Sequence, residues 1–230
     1  MPFQKMKTVP TLSGIQRCEK VQLCMNMSLR VYDNTIKHCV YITGLYDGQA
    51  MIHETKCGRL VIAFRGTESL TDCIVNMWRY KSRLECVRGA YVHAGFLAQH
   101  SSTWDQIIEH LSPYMNAYKE ILVTGHSLGG ALATLFSVRF ACLYPGLSVS
   151  CYTFGSPRVG NILFVKRVQY INNLSILRVN NENDITTWIP WSGFVHTSKV
   201  VNIPVYDLSW YEYRKRHSIE RMNSAFTKCM

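Results

Sequence analysis

The sequence lacks any long apolar run and any apolar leader. No stretch approaches the roughly 18 consecutive apolar residues of a membrane-spanning helix, and the longest mostly apolar stretch near the middle ends at Arg139. The first residues, MPFQKMKTVPTLSG, have no apolar core of the kind found in signal peptides. From these absences we predict a chain without a transmembrane segment that is not exported and resides in the cytoplasm or peripherally at lipid surfaces.

The cysteines form no pattern that indicates a metal site. The nine cysteines are an odd number, with no Cys-x-x-Cys pair and no Cys/His cluster at zinc spacing. Carboxylate and histidine clusters at ligand spacing are missing as well. We therefore predict no metal and no cofactor. Free thiols in a reducing compartment are favoured over a disulfide scaffold, which stays open as the alternative.

Charged residues are scarce for a chain of this size. They make up 17% of the sequence, and 25 Lys+Arg against 15 Asp+Glu give a net charge of +10; globular proteins average about 25% charged residues. Residues 211–217 mix aromatic and basic side chains, but no nucleic-acid-binding motif accompanies them. The basic excess thus favours a solvated face or attraction to an anionic lipid surface, and we predict no nucleic-acid partner.

No Gly/Ser linker, repeat or low-complexity tract divides the chain, so residues 1–230 are predicted to form one domain. Buried strand patterns alternate with helical ones, which predicts an α/β fold with a mostly parallel central sheet. The predicted helices span 15–29, 104–111, 130–143 and 161–172. The predicted strands span 36–46, 49–55, 60–64, 121–124, 149–154, 175–179 and 199–205.

One segment carries a chemical signature. Residues 121–130 (ILVTGHSLGG) place a Gly-x-Ser-x-Gly motif between a buried strand and an apolar helix. A sharp strand-to-helix turn crowds the backbone, so Gly125 and Gly129 suit the positions two residues from Ser127. The helix that follows directs its N–H groups at Ser127, and the N–H of Leu128 is suited to bind an oxyanion. We therefore predict that Ser127 is a nucleophile.

A serine nucleophile needs a histidine as base and an acid that orients the histidine. After this kind of turn, the acid follows the serine along the chain and the histidine follows the acid. His196 and His217 are the histidines after Ser127, and the candidate acids are Glu182, Asp184 and Asp207. Asp184 follows a predicted strand in a loop, and strand ends are where open α/β sheets place their sites.

Several segments together resemble the class 3 lipases, the fungal triacylglycerol lipase group and its relatives. The matching segments, by residue number, are 61–69 (VIAFRGTES), 91–96 (YVHAGF), 121–135 (ILVTGHSLGGALATL), 152–161 (YTFGSPRVGN), 178–190 (RVNNENDITTWIP), 194–200 (FVHTSKV) and 217–218. The resemblance implies an α/β-hydrolase fold with helices on both faces of the sheet and a lid segment at about 69–83.

The resemblance also implies roles for individual residues. Ser127 would be the nucleophile, Asp184 the acid and His217 the base, with the oxyanion held by Thr67 and Leu128. The chain departs from the family pattern after Asp184, where Ile185-Thr186-Thr187 replaces the usual Val-Val/Ile-Pro. It also departs at Cys73, where the lid commonly carries Trp, and after His217, where no aromatic residue follows. His196 remains the rival base.

These implications predict a serine carboxylic-ester hydrolase that acts on acylglycerol lipids at a membrane or droplet surface. A phospholipase A1 or a mono/diacylglycerol lipase is the alternative within the enzymes. The alternative outside them is a non-catalytic, lipase-like lipid-binding protein. The sequence does not fix an oligomeric state.

Overall fold

The computed structural model describes Gly14 and residues 18–33, 36–67, 80–198, 200–203 and 218–228. The helices in these ranges are α1 (Glu19–Arg30), α2 (Ala94–Leu111), α3 (Leu128–Leu143), α4 (Ile162–Val168) and α5 (Ile219–Lys228), with short 3-10 turns at Ser112–Ala117 and Ile185–Trp188. The strands are β1 (Cys39–Thr43), β2 (Gln49–Glu54), β3 (Leu60–Phe64), β4 (Lys81–Arg83), β5 (Tyr91–His93), β6 (Glu120–His126), β7 (Ser148–Phe154), β8 (Leu174–Asn181) and β9 (Val200–Ile203).

Within the described ranges the main sheet has seven strands in the order β1-β2-β3-β6-β7-β8-β9. The first three pair antiparallel, whereas β3, β6, β7, β8 and β9 run parallel. In the parallel register Phe64 lies beside Gly125, and His126 pairs with Phe154, which pairs with Val179. The carboxyl ends of β3, β6, β7 and β8 therefore meet at one edge of the sheet, as predicted for this fold class.

Helices cover both faces of the sheet and create two apolar cores. Ile62, Val123 and Cys151 face α2 and α3 on one side. Val61, Leu122 and Phe154 face α1 and α5 on the other side. This alternation follows from the period of two along a strand, and β3 is buried at every position because both faces are covered. The predicted α/β architecture with a mostly parallel sheet is confirmed.

Helix α3 packs across the centre of the sheet and has almost no exposed surface. Its residues from Leu128 to Val138 are all buried, which matches its lack of a polar face. None of the helices in the described ranges combines the length and the apolar character needed to cross a bilayer.

Helix α2 is ten residues longer at its start than the predicted helix at 104–111. It begins at Ala94 because the ring of His93 accepts a hydrogen bond from the Phe96 N–H at 3.4 Å and caps the helix. The end of the chain also forms α5, which the sequence pattern did not predict. The first part of the predicted lid, residues 69–79, lies outside the described residues, whereas Lys81–Arg83 forms β4 and pairs with Tyr91–His93.

Candidate active site

The bend at Ser127 has the geometry that a strand-to-helix nucleophile turn requires. β6 ends at His126, α3 begins at Leu128, and Ser127 between them has φ 61° and ψ −129°. A non-glycine residue at positive φ is held by its surroundings at a cost on the order of 1–3 kcal/mol. The Ser127 N–H donates to Phe154 O at 2.9 Å, and the Gly130 N–H donates to Ser127 O at 2.9 Å. These two bonds fix the bend between β7 and the first turn of α3.

Two glycines allow the backbone to close tightly around this bend. A Cβ at Gly125 would collide with the carbonyl group of Gly129, and a Cβ at Gly129 would collide with the Phe64 carbonyl oxygen. The first turn of α3 thus rests directly on the end of β3. The sequence requirement for small residues on both sides of Ser127 is confirmed, and its cause is contact between backbones.

The chain that leaves β3 runs past Ser127 and carries Thr67. A Cβ at Gly66 would lie 3.3 Å from Ser127 Cβ and 2.7 Å from His126 O, so this segment passes alongside the nucleophile. The Thr67 hydroxyl oxygen is buried and has no hydrogen-bond partner within the described residues. A buried hydroxyl without a partner costs about 1–3 kcal/mol unless a ligand group satisfies it. Thr67 therefore has a donor available next to the serine.

The first turn of α3 supplies the other donors near Ser127. Leu128 is the first residue of α3 and is buried. The N–H groups of a first helical turn point out of the helix and carry the positive end of its dipole. The first turn of α3 therefore presents these N–H groups beside Ser127.

Asp184 lies at the same edge of the sheet, beyond the end of β8. It is 1% exposed, its Oδ1 accepts a hydrogen bond from the Thr186 N–H at 3.0 Å, and its carbonyl accepts one from the Thr187 hydroxyl at 2.7 Å. Its carboxylate thus caps the 3-10 turn at Ile185–Trp188. The replacement of the family's proline by Thr187 leaves this loop held by a side-chain hydrogen bond. A buried carboxylate with a fixed orientation is suited to orient a histidine.

His217, the predicted base, lies outside the described residues. Its neighbour Ser218 is described, and the Asn181 side-chain amide donates to Ser218 O at 3.4 Å. Asn181 is the last residue of β8, three positions before Asp184. The chain directly after His217 is therefore tied to the strand end that carries the acid.

His196, the rival base, is engaged elsewhere. Its Nε2–H donates to Thr187 O at 2.7 Å. Burial, and then the nearby charge of Arg178, lowers the pKa of His196 to about 3. A general base works best when its pKa lies near the operating pH, so His196 is poorly suited to hold the serine proton.

Two further histidines near the motifs contact neighbouring aromatic residues. His93 is fully buried, and its ring centroid lies 4.2 Å from that of Phe96 with the ring planes tilted by 33°. His126 is 7% exposed, and its Nδ1 lies 3.4 Å from the Tyr32 hydroxyl. Sequence reasoning missed Tyr32, because it follows α1 about ninety residues before Ser127 and shares no motif with it. It also missed the polar cavity beside Asp184, which is lined by residues from several segments.

Comparison with known proteins gives the chain relatives with the same fold. The solved structure of lipase II from Rhizopus niveus superimposes with a TM-score of 0.70 and 27% identity, over 86% of this chain and 82% of that chain. A lipase from Rhizopus niveus is 35% identical over 162 residues, which are 64% of this chain and 39% of the relative. The fold is therefore the α/β-hydrolase fold of these lipases.

Two further relatives carry more specific names. The secreted mono- and diacylglycerol lipase 1 of Fusarium solani is 31% identical over 147 residues, 60% of this chain and 42% of that protein. Phospholipase A1-II 3 of rice is 30% identical over 187 residues, 67% of this chain and 43% of that protein. The chain spans about two fifths of the length of the curated relatives it matches.

The predicted cytoplasmic localisation is wrong by this comparison, since the Fusarium solani relative is named as secreted. The prediction depended on the missing apolar leader in the first residues. Those residues carry no information on export in a chain that spans about two fifths of its relatives.

A family model agrees with these matches. The model described as Lipase (class 3) matches residues 61–194. The matched range begins in β3 and includes Thr67, Ser127 and Asp184. The chain belongs to the class 3 lipase family.

Proposed function

We propose that this protein is a serine ester hydrolase that cleaves acylglycerol lipids through Ser127, His217 and Asp184. The observation that carries the proposal is the strained bend at Ser127, with φ 61° between β6 and α3. Strain of this kind persists where the fold over-determines it, and such positions concentrate at reactive sites. A protein that only binds lipid would gain nothing from the strained conformation at Ser127.

The reaction would proceed through an acyl-enzyme. His217 takes the hydroxyl proton as Ser127 Oγ attacks the ester carbonyl carbon, and the N–H groups of Leu128 and Thr67 bind the resulting oxyanion. His217 then protonates the departing alcohol, which leaves the acyl group on Ser127. Water attacks this ester with His217 again as the base, and the fatty acid leaves with Ser127 restored.

Three observations support this assignment of roles. Asp184 is buried and oriented by Thr186 and Thr187 at the edge where Ser127 lies. Ser218 is tied to Asn181 at the end of β8, which brings the chain near His217 towards the acid. The buried Thr67 hydroxyl has no partner within the described residues and is available to an oxyanion.

A covalent probe and one substitution test the nucleophile. Wild-type protein should react with a fluorophosphonate at Ser127 and hydrolyse a p-nitrophenyl ester. Ser127→Ala should lose labelling and reduce kcat by on the order of 10⁶. Ser137→Ala is the matched control, since it removes a buried hydroxyl from α3, the helix that follows Ser127, and should leave labelling intact. Near-normal turnover by Ser127→Ala would refute the proposal.

The base is tested by comparing two histidine variants. His217→Ala should lose about as much activity as Ser127→Ala, since members of a triad act as a unit. His196→Gln should keep most of its activity, because the Nε2–H of His196 is bonded to Thr187 O. The reverse ranking would assign the base to His196.

Measuring fatty acid release from a panel of emulsified lipids would identify the substrate class. We propose acylglycerols as substrates, supported by the mono- and diacylglycerol lipase relative. The net charge of +10 supports action at an anionic lipid surface. Preferred release of fatty acid from phosphatidylcholine over tri-, di- and monoacylglycerol would favour the phospholipase A1 alternative, which the rice relative supports.

A further inference from the structure

A polar cavity lies beside the acid loop, outside the machinery proposed for ester cleavage. It has a volume of about 390 Å³, and its lining includes Arg158, Arg178, Asn180, His196 and Asn202. Arg178 and Asn180 alternate with Val179 along β8, so they extend from the face of the sheet that α2 and α3 cover lower down.

Arg178 is a buried cation that forms no ion pair with a carboxylate among the described residues. It is 5% exposed, and its Nη1 donates to Ser198 O at 3.3 Å. With the Asn180 amide turned so that its oxygen faces Arg178, the Nη2 donates to that oxygen at 3.1 Å. Its Nε–H is buried and has no partner in the part of the chain that the structure describes. The ion pairs within these ranges, Lys20–Glu120 and Arg59–Glu19, do not involve it. Buried charges are normally paired, so an anion bound beside this guanidinium would be stabilised.

Arg158 places a second guanidinium on the same cavity. It is half-buried, and its Nη1 donates to Trp191 O at 3.4 Å. Burial, and then the positive charge of Arg158, lowers the pKa of Arg178 to about 9. Glu182 also lines the cavity, but it is exposed and makes no ion pair with either arginine among the described residues. The two guanidinium groups therefore repel each other, and no ion pair among the described residues offsets this repulsion.

We propose that this cavity binds a phosphate group, either free or as the phosphate of a glycerol phosphate headgroup. Two guanidinium forks match the oxygens of a doubly charged oxyanion and bind it bidentately. Asn180 and Asn202 add amide groups on the lining, and the volume has room for a glycerol attached to the phosphate. The neutral His196 adds no third positive charge to the site.

Calorimetric titration of the full chain with inorganic phosphate and with glycerol 3-phosphate tests the proposal, at an ionic strength matched with sodium chloride. Wild-type protein should bind both with saturation. Arg158→Gln should weaken binding roughly ten- to hundredfold, because it removes a charged hydrogen-bonding group. Arg158→Lys keeps the charge without the fork and should lose less. Arg167→Gln, an exposed arginine on α4, is the matched control and should bind like wild type.

Vesicles distinguish the two sources of the phosphate. If the ligand is a headgroup, phosphatidylcholine vesicles that contain phosphatidic acid should retain wild-type protein more strongly than the Arg158→Gln variant, and glycerol 3-phosphate should compete. If it is free phosphate, saturable binding in solution should occur with no vesicle retention that depends on Arg158.

Two results would overturn the proposal: no saturable binding of any probe, or equal weakening by Arg158→Gln and Arg167→Gln. Circular dichroism of each variant checks that it has folded, and Arg178→Gln adds a second test at the buried cation. Because the measurement is binding, its outcome does not depend on whether Ser127 acts as a nucleophile.

Discussion

The bend at Ser127 and the loop at Asp184 lie at the same edge of one sheet, but they are built in opposite ways. Around Ser127 the backbone is packed against itself: Gly129 rests on the Phe64 carbonyl, and Gly125 rests on Gly129. Around Asp184 the chain is held by polar contacts from Thr186 and Thr187 and borders a polar cavity. One side of the site is fixed by shape, and the other by hydrogen bonds and charge.

This difference determines how each side should respond to substitution. Contact between backbones leaves no freedom to absorb an added methyl group, so the Ser127 side should be sensitive to volume. A hydrogen-bonded loop tolerates changes of shape better than changes of charge, since buried polar groups need partners.

The charge of Asp184 should matter more than its hydrogen bonds to the loop. Asp184→Asn keeps an oxygen that can accept from the Thr186 N–H, so the loop should retain its shape. It removes the negative charge that would stabilise the imidazolium of His217. We expect kcat for ester hydrolysis to fall by about 10⁴ with little change in melting temperature.

Asp105→Asn is the matched control for this change, because it removes an exposed carboxylate from α2. It should leave kcat unchanged. A loss of less than tenfold in Asp184→Asn would transfer the role of the acid to Glu182 or Asp207.

The Thr67 hydroxyl should stabilise the transition state and should not contribute to binding of the substrate. Thr67→Val preserves the shape and the backbone N–H but removes the buried hydroxyl that has no partner among the described residues. We expect kcat to fall by about 10²–10³ with KM nearly constant, as for the loss of one oxyanion donor. Thr153→Val removes a comparable buried hydroxyl from β7 and should not change kcat. Equal effects in the two variants would indicate that the Thr67 hydroxyl has no catalytic role.

Added volume should be costly on the Ser127 side. Gly129→Ala directs a methyl group into the Phe64 carbonyl, so β3 and α3 must separate. We expect a loss of about 2–3 kcal/mol in the free energy of unfolding, measured by urea denaturation, together with loss of activity. Gly146→Ala, whose Cβ would meet nothing within 4 Å, should change stability by less than about 0.5 kcal/mol. Normal stability of Gly129→Ala would show that the bend is more compliant than its contacts indicate.

The same contrast explains what the sequence alone could predict. The predicted strand at 60–64 matches β3 in full, because a continuous apolar run between polar turns is a local signal. The turn at Ser127 is also encoded locally, in two glycines within five residues. Helix α2 was predicted ten residues too short because Gly95 and polar residues break its apolar pattern, and its start depends on the cap from His93.

The Asp184 side could be predicted only in part. Asp184 itself follows a recognisable strand, but Arg158, Arg178 and His196 come together from separate segments that only the folded sheet unites. His100 shows the same limit. No motif in the sequence marks its position, yet its ring is fully buried between Trp104 and Phe136.

The smallest predicted effect concerns pH and stability. Burial, and then the charge of Arg139, lowers the pKa of His100 to about 3, whereas a histidine in the unfolded chain has a pKa of about 6.5. Between these values the unfolded chain binds a proton that the folded chain does not. His100 should therefore reduce stability as the pH falls below about 6.5, by about 1.4 kcal/mol per pH unit, with no effect above it. Between pH 7 and pH 5, the free energy of unfolding of His100→Phe, measured by urea denaturation, should fall by about 2 kcal/mol less than that of wild type.

His110→Gln, at a half-exposed position of the same helix, should keep the wild-type pH dependence. Parallel pH profiles for wild type and His100→Phe would mean that the buried ring is protonated as readily in the folded protein as in the unfolded chain.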